Sequence, residues 1–287
     1  MKKRTKKLIK KLIVAASILL LLLVVALTEI YVSNNVLQNS EVTVSFQNLP
    51  ESASGLRIAV VSDLHGKEFG RGNKRLIENV KNQEPDIIAV TGDIVDDTAE
   101  LDVLKPFFEG LAEIAPVYYV FGNHEWAIKS INEIKAQIEG IENVRLLQNE
   151  YELFEIGDDR ICILGIEDLN GPADMHDIRY YVDEINSLYG EDTFIVALCH
   201  RNDRIGEFAR NDVDVVLSGH GHGGLIRLPF LGGLIGTDGS FLPQYTSGAN
   251  KQMNTVMVVS RGLGNSSRTI RVFNRPEVVT VILEHTI

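Results

Sequence analysis

Apolar and polar positions are arranged along the 287-residue chain in four distinct ways. Near the amino terminus, Leu12 to Thr28 runs for 17 residues without a charge and includes Ile18 to Val25 as an unbroken aliphatic stretch. Further on, short Val/Ile-rich runs recur: Arg57 to Ser62, Asp86 to Thr91, Val117 to Phe121, Ile195 to Cys199 and Val213 to Ser218. Runs of this length, bounded by Gly, Asn and Asp, predict buried strands. Between them, residues 73–82, 99–111, 130–139, 177–188 and 203–209 space their apolar residues as amphipathic helices do. Strand alternating with helix predicts α/β units around a largely parallel sheet. Glu41 to Phe46 alternates strictly and predicts a half-buried strand, whereas Leu49 to Gly55 predicts a turn-rich connection. Ser33 to Ser40 is short and polar, and predicts a tether. No internal repeat is present.

Charge changes the picture of the first segment. The formal net charge is -11, which argues against binding a long nucleic-acid duplex, since a phosphate backbone is held mainly by Lys and Arg. Seven of the 28 basic residues lie within residues 1–11, leaving 21 basic against 39 acidic residues behind them. A basic tip therefore precedes an acidic body. A helix over the 17 uncharged residues is about 25 Å long, and flanking apolar residues can extend it to a bilayer's hydrocarbon thickness. The cations predict a cytoplasmic amino terminus with the body outside. The alternative is a cleaved signal peptide, for which Val24-Val25-Ala26 offers small residues. The chain thus divides into a tip (1–11), a transmembrane anchor (12–32), a tether with a first strand (33–55) and a main domain (56–287).

The candidate chemistry sits where the strands end. Asp63 and His65 follow the first run, Gly92-Asp93 the second, Gly122-Asn123-His124-Glu125 the third, His200 the fourth, and Gly219-His220-Gly221-His222 the fifth. Any one of these alone is an ordinary turn or helix cap. Together they close five strands in the same polarity, which gathers them along one edge, where α/β sheets bind ligands. His176 and His285 occupy no such position. Oxygen donors mixed with imidazole suit Mn, Fe, Zn or Co. Seven donors oversupply one ion but suit two divalent ions sharing a carboxylate, an arrangement used for displacement at phosphorus.

In order and spacing these motifs resemble the calcineurin-like metallophosphoesterases. The residues Ser260 to Gly264 and Phe273 to Glu277 are similar to the bacterial membrane-associated branch of that family. The resemblance implies a four-layer α/β/β/α sandwich. It implies one metal held by Asp63, His65, Asp93 and His222, and another by Asp93, Asn123, His200 and His220. It further implies that a water shared by the ions attacks phosphorus in line with the leaving oxygen, while His124 faces the leaving group. Glu125 either orients His124 or serves the helix start. Departures from the family pattern, such as Gly221 and Leu225, remove no ligand. Arg201 and Arg261 are candidate phosphate contacts.

The activity expected is hydrolysis of a phosphoester, with a diester as the leading substrate. The alternatives are a pyrophosphate in a nucleotide-linked lipid, a monoester, or a membrane-tethered metal- or partner-binding protein of low turnover. Leu225 to Gly236 is unusually apolar, and reads either as sheet packing or as a rim for a lipid-linked substrate. Cys162 and Cys199 lie in apolar runs and read as core thiols.

Overall fold

A computed structural model describes residues 2–172, 175–265 and 269–286. The N-terminal apolar run forms part of one helix, α1 (Lys2–Asn35). Over Arg4–Asn35 it is long and apolar enough to cross a membrane, and its apolar window is entirely unburied by the rest of the chain.

The body contains two six-stranded sheets and a small hairpin. In chain order the first sheet takes β1 (Gln38–Phe46), β2 (Arg57–Val61), β3 (Ile87–Val90), β4 (Val117–Tyr119) and β5 (Val144–Leu146). The second takes β6 (Glu150–Ile156), β7 (Asp159–Ile166), β8 (Ile195–Cys199) and β9 (Val215–Ser218). The hairpin is β10 (Ile226–Leu228) with β11 (Gly232–Ile235). Strands β12 (Gly248–Gln252) and β13 (Thr255–Val259) complete the second sheet, and the C-terminal β14 (Glu277–His285) returns to the first. The orders are β1-β14-β2-β3-β4-β5 and β12-β13-β9-β8-β7-β6. Parallel pairing dominates each centre, with antiparallel pairs at β14–β2, β6–β7 and β12–β13.

Period-two alternation builds the layers. In β2, Ile58 and Val60 face the other sheet, where they join Ile163, Val196 and Leu217 in one buried cluster. Ala59 and Val61 face the opposite way, toward α2 (Lys74–Lys81), α3 (Leu104–Ala112) and, beyond the short α4 (Asn123–Ala127), α5 (Ile131–Ile138). On the far side, Leu164, Ala197 and Val216 pack on α6 (Ile178–Tyr189) and α7 (Ile205–Ala209). Helix, sheet, sheet and helix therefore form a four-layer sandwich with three apolar seams, as the resemblance implies.

Two details refine the sequence reading. The polar stretch after the apolar run is no loose spacer: α1 continues through Asn35, and β1 starts at Gln38. The Asn34 carboxamide donates to Arg271 O at 2.9 Å and accepts from Arg271 N at 3.1 Å, as a neighbouring strand would. Cys162 and Cys199 are buried and free. On adjacent strands, Cys162 faces Ile195 and Cys199 faces Ile166, so the thiols lie four ladder positions apart.

Candidate metal centre

Every ligand candidate leaves the carboxyl end of a strand. Asp63 and His65 follow β2, Asp93 follows β3, Asn123 opens α4 after β4, His200 follows β8, and His220 and His222 follow β9. Sheet packing brings the two sets face to face. His65 Nε2 lies 3.1 Å from His222 Nε2, which lies 3.5 Å from Asp63 Oδ1. Asp93 Oδ2 lies 3.1 Å from His200 Nε2 and 3.9 Å from His65 Nε2, so one carboxylate stands between both groups. His200 Nε2 is also 3.2 Å from Asn123 Oδ1 and 3.2 Å from His220 Nδ1. Within Asp63/His65/His222 and within Asp93/His200/His220, the donor atoms lie within 4.8 Å of one another. His176 instead stacks on Tyr180, and His285 Nδ1 donates to Leu49 O.

The local backbone is wound unusually tightly. Asp63, His65, Asp93, His220 and His222 all have left-handed φ, between 48° and 64°. This conformation costs a non-glycine residue ~1–3 kcal/mol and persists only where the surroundings impose it. The flanking glycines make room: a Cβ on Gly122 would lie 2.1 Å from Asp93 Oδ1, and one on Gly219 would lie 2.3 Å from Asp63 Oδ2.

Hydrogen bonds orient the donors. His200 Nδ1–H donates to Thr91 O at 2.7 Å, which leaves its Nε2 lone pair facing Asp93. His65 Nδ1 is 2.5 Å from Asp96 Oδ1, and His124 Nδ1 is 2.8 Å from the same oxygen. Asp96 therefore orients two histidines. The sequence reading missed it, although a second acid three residues beyond Asp93 was the available signal. Arg271 was missed as well. It is almost fully buried, and its guanidinium lies 3.2 Å from His222 Nδ1 while donating to the carbonyls of Arg261 and Gly264.

Glu125 does not contact the His124 ring through any described hydrogen bond. Its Oε2 accepts from Asp93 N (2.9 Å) and Gly122 N (2.8 Å), and its Oε1 from Ile94 N (2.6 Å). The carboxylate thus clamps the β3 and β4 loops together. The residues of the similar tail also buttress the site. Leu263 and Gly264 donate their backbone amides to Asp63 O, and the Asn274 carboxamide donates to His222 O and Gly224 O. Both candidate phosphate-binding arginines are committed to carboxylates: Arg201 to Asp168 at 2.7 Å, and Arg261 to Glu277 at 2.7 Å.

The charges show what the site demands. Burial opposes ionisation of Asp93, yet His200, His65 and His124 hold its pKa well below the usual carboxylate range. Asp63 is likewise lowered against its burial, chiefly by His222 and His200. Burial opposes protonation of His200, but Asp93 and Asp63 raise it to about 10. Buried carboxylates here draw protons onto neighbouring imidazoles in place of another cation, and a divalent ion satisfies the same charge while displacing those protons. His222 goes the other way, to about 3, through burial and the Arg271 charge. The donor set fits divalent metal ions in chemistry, burial and convergence.

Comparison with known proteins agrees with this geometry. The calcineurin-like phosphoesterase profile matches residues 56–224. The chain is 31% identical over 229 residues to a Bacillus subtilis protein described as the metallophosphoesterase YkoQ, covering 78% of this chain and 82% of that protein. It is 30% identical over 261 residues to a metallophosphoesterase of Aquifex aeolicus, covering 86% and 92%. A Danio rerio transmembrane protein with a metallophosphoesterase domain is 27% identical over 259 residues; the match spans 85% of this chain but only 56% of that longer protein. Among solved structures, the Haemophilus influenzae NAD nucleotidase shares the fold, with a TM-score of 0.50 and 14% identity over 72% of this chain and 45% of its own length. The chain belongs to the calcineurin-like phosphoesterase family, whose members are metal-dependent phosphoesterases.

Proposed function

We propose that the chain is a binuclear metal-dependent phosphodiesterase that works at a membrane surface. The observation that carries this reading is the position of Asp93, whose Oδ2 faces His200 from one trio and His65 from the other. Asp63, His65, Asp93 and His222 hold one divalent ion, and Asp93, Asn123, His200 and His220 hold the second. Such ions, when bound, acidify water and neutralise phosphoryl oxygens.

His124 supplies the proton for the leaving oxygen. Its side chain is 28% exposed; its Nδ1 is held by Asp96 at 2.8 Å, and its Nε2 lies 3.8 Å from Asp93 Oδ2, toward the ligand cluster. The Asp96 hydrogen bond, against some opposition from burial and with help from Asp93, raises its pKa to about 9. The raised value favours the protonated ring that a general acid needs. Arg201 is a candidate phosphate contact, since its charge acts on His220 although its guanidinium pairs with Asp168. The basic tip holds the amino terminus in the cytoplasm, α1 anchors the chain, and the body lies outside.

The test is hydrolysis of a phosphodiester and a phosphomonoester by the purified full chain, with Mn²⁺, with chelator, and with Asp93→Asn. Metal-dependent activity that favours the diester and collapses in the variant is expected. Metal-independent turnover, or none with any divalent ion, overturns the enzymatic reading; preference for the monoester overturns its specificity.

A further inference from the structure

The β10–β11 hairpin ends in Leu228-Pro229-Phe230-Leu231, and the structure leaves this tip uncovered. Phe230 is 108% exposed and Leu231 67%, while nearby Phe273 is 57% exposed. A soluble surface seldom leaves large side chains together in water without a partner. Phe230 and Phe273 also have left-handed φ, 69° and 53°. Glycine would adopt that backbone without strain, so two bulky rings are presented outward against a backbone cost.

Their neighbour indicates what covers them. A groove of about 670 Å³ has Glu29, Val32 and Ser33 of α1 on one wall, with Pro229, Phe230 and Phe273 on the other. The walls are tied together, since Phe273 N donates to Glu29 Oε1 at 2.7 Å and Asn274 N donates to Ser33 Oγ at 3.2 Å. Glu29 immediately follows the uncharged run that ends at Thr28. Ser33 lies about 6 Å further along the helix axis, a span comparable to the interfacial zone of a bilayer. The hairpin tip therefore stands level with the point where α1 leaves hydrocarbon.

We propose that this tip, with Phe273, inserts into the lipid surface beside α1 and gives the body a second membrane contact next to its metal centre. The inference rests on α1 being a membrane anchor. It also deepens the proposed function. The base of the hairpin continues directly from the ligand loop: Leu225 N donates to Ile235 O at 2.8 Å, and Arg227 holds Gly223 O at 2.6 Å. The three-residue strand β10 separates base from tip by about 10 Å. A phosphoester on an amphiphile can therefore reach the centre while its acyl chains stay in the bilayer, which makes a lipid-borne phosphoester the substrate class.

The test uses the full chain reconstituted in phosphatidylcholine/phosphatidylglycerol vesicles. An environment-sensitive fluorophore is placed by Phe230→Cys or Phe273→Cys, with Leu188→Cys, on an exposed part of α6, as reference. Native Cys162 and Cys199 are fully buried, with burial raising their thiols to about 12 and about 11, so they do not compete for label. Shallow spin-labelled lipid should quench the probes at 230 and 273 at least about twofold more than the probe at 188. Equal quenching at all three overturns the contact, as does shielding at 230 that tracks protein concentration rather than lipid. This readout needs no turnover, so its failure is separable from failure of the enzymatic reading. In a second arm, Phe230→Asp should slow hydrolysis of a vesicle-borne phospholipid about tenfold and leave a water-soluble diester within about twofold. Equal loss on both substrates overturns lipid delivery.

Discussion

The two sheets furnish the metal centre with different chemistry. The first brings both carboxylates among the ligand candidates, Asp63 and Asp93, with His65 and Asn123. The second brings only imidazoles, His200, His220 and His222. Yet the second sheet does have acids at a strand end, since β7 runs into Glu167 and Asp168. These are turned to other partners: Glu167 accepts from Trp126 Nε1 at 2.7 Å, and Asp168 pairs with Arg201. Carboxylate charge among the ligand candidates is thus concentrated on one half and imidazole nitrogen on the other. A cation seated between them would cross-link the sheets at the edge where their apolar seam ends.

The sharpest way to break this comparison is Asp93→Asn, which removes the charge placed between the trios. Activity should fall about 1,000-fold, and bound metal measured by elemental analysis should drop with it. If His200→Asn proved equally costly in bound metal, the division between the halves would fail. Metal removal probes the cross-link itself. Chelation should lower Tm by about 5–10 °C, and Asp93→Asn should abolish most of that difference. An unchanged Tm would mean that the sheets do not depend on the ions to stay closed.

Asp96→Asn touches only the first half and should cost about 10–100-fold in kcat. It also carries a pH signature. Because Asp96 raises His124 to about 9, activity needing the protonated ring should decline as pH passes that value. In the variant the decline should begin at lower pH; an unmoved profile would dissociate Asp96 from His124. Glu125→Gln, which keeps the shape but weakens the clamp on Asp93, Ile94 and Gly122, should cost ~1–3 kcal/mol in chemical denaturation.

The smallest effect lies on the second sheet. Burial raises Glu167 from 4.5 to about 7, so the folded state keeps a proton that the unfolded chain releases. Its part of the stability is present below about pH 4.5 and is lost as pH rises to about 7. Glu167→Gln should flatten that portion of the stability profile without changing bound metal.

The difference between the halves also explains what the chain reveals as a sequence. The ligand candidates were legible because each closes a Val/Ile-rich run, and five strand ends in one polarity can meet only along one edge. The sandwich itself came from the family resemblance, since nothing in a run such as Arg57 to Ser62 says that Ile58 and Ala59 face different layers. Asp96 and Arg271 were not legible, and of Glu125 only its place at the helix start was, not its clamp on the β3 loop. Each acts through partners fixed by tertiary packing: Asp96 on His124, Arg271 on His222 from 49 residues away, Glu125 on three backbone amides from two loops. The stretch after the apolar run misled because polar residues such as Asn34 usually mark linkers, whereas here the carboxamide fills a strand-like place beside Arg271.

The left-handed ligand backbones have a consequence for how the protein can change. Five candidate ligands sit where glycine would be easier, and the two carboxylates among them are buried where apolar groups would be easier. Function and folding therefore compete at the same positions. A replacement such as His220→Gly should leave the metal-free protein as stable as the parent or more so, while forfeiting a ligand. Selection for robustness alone would erode this site first.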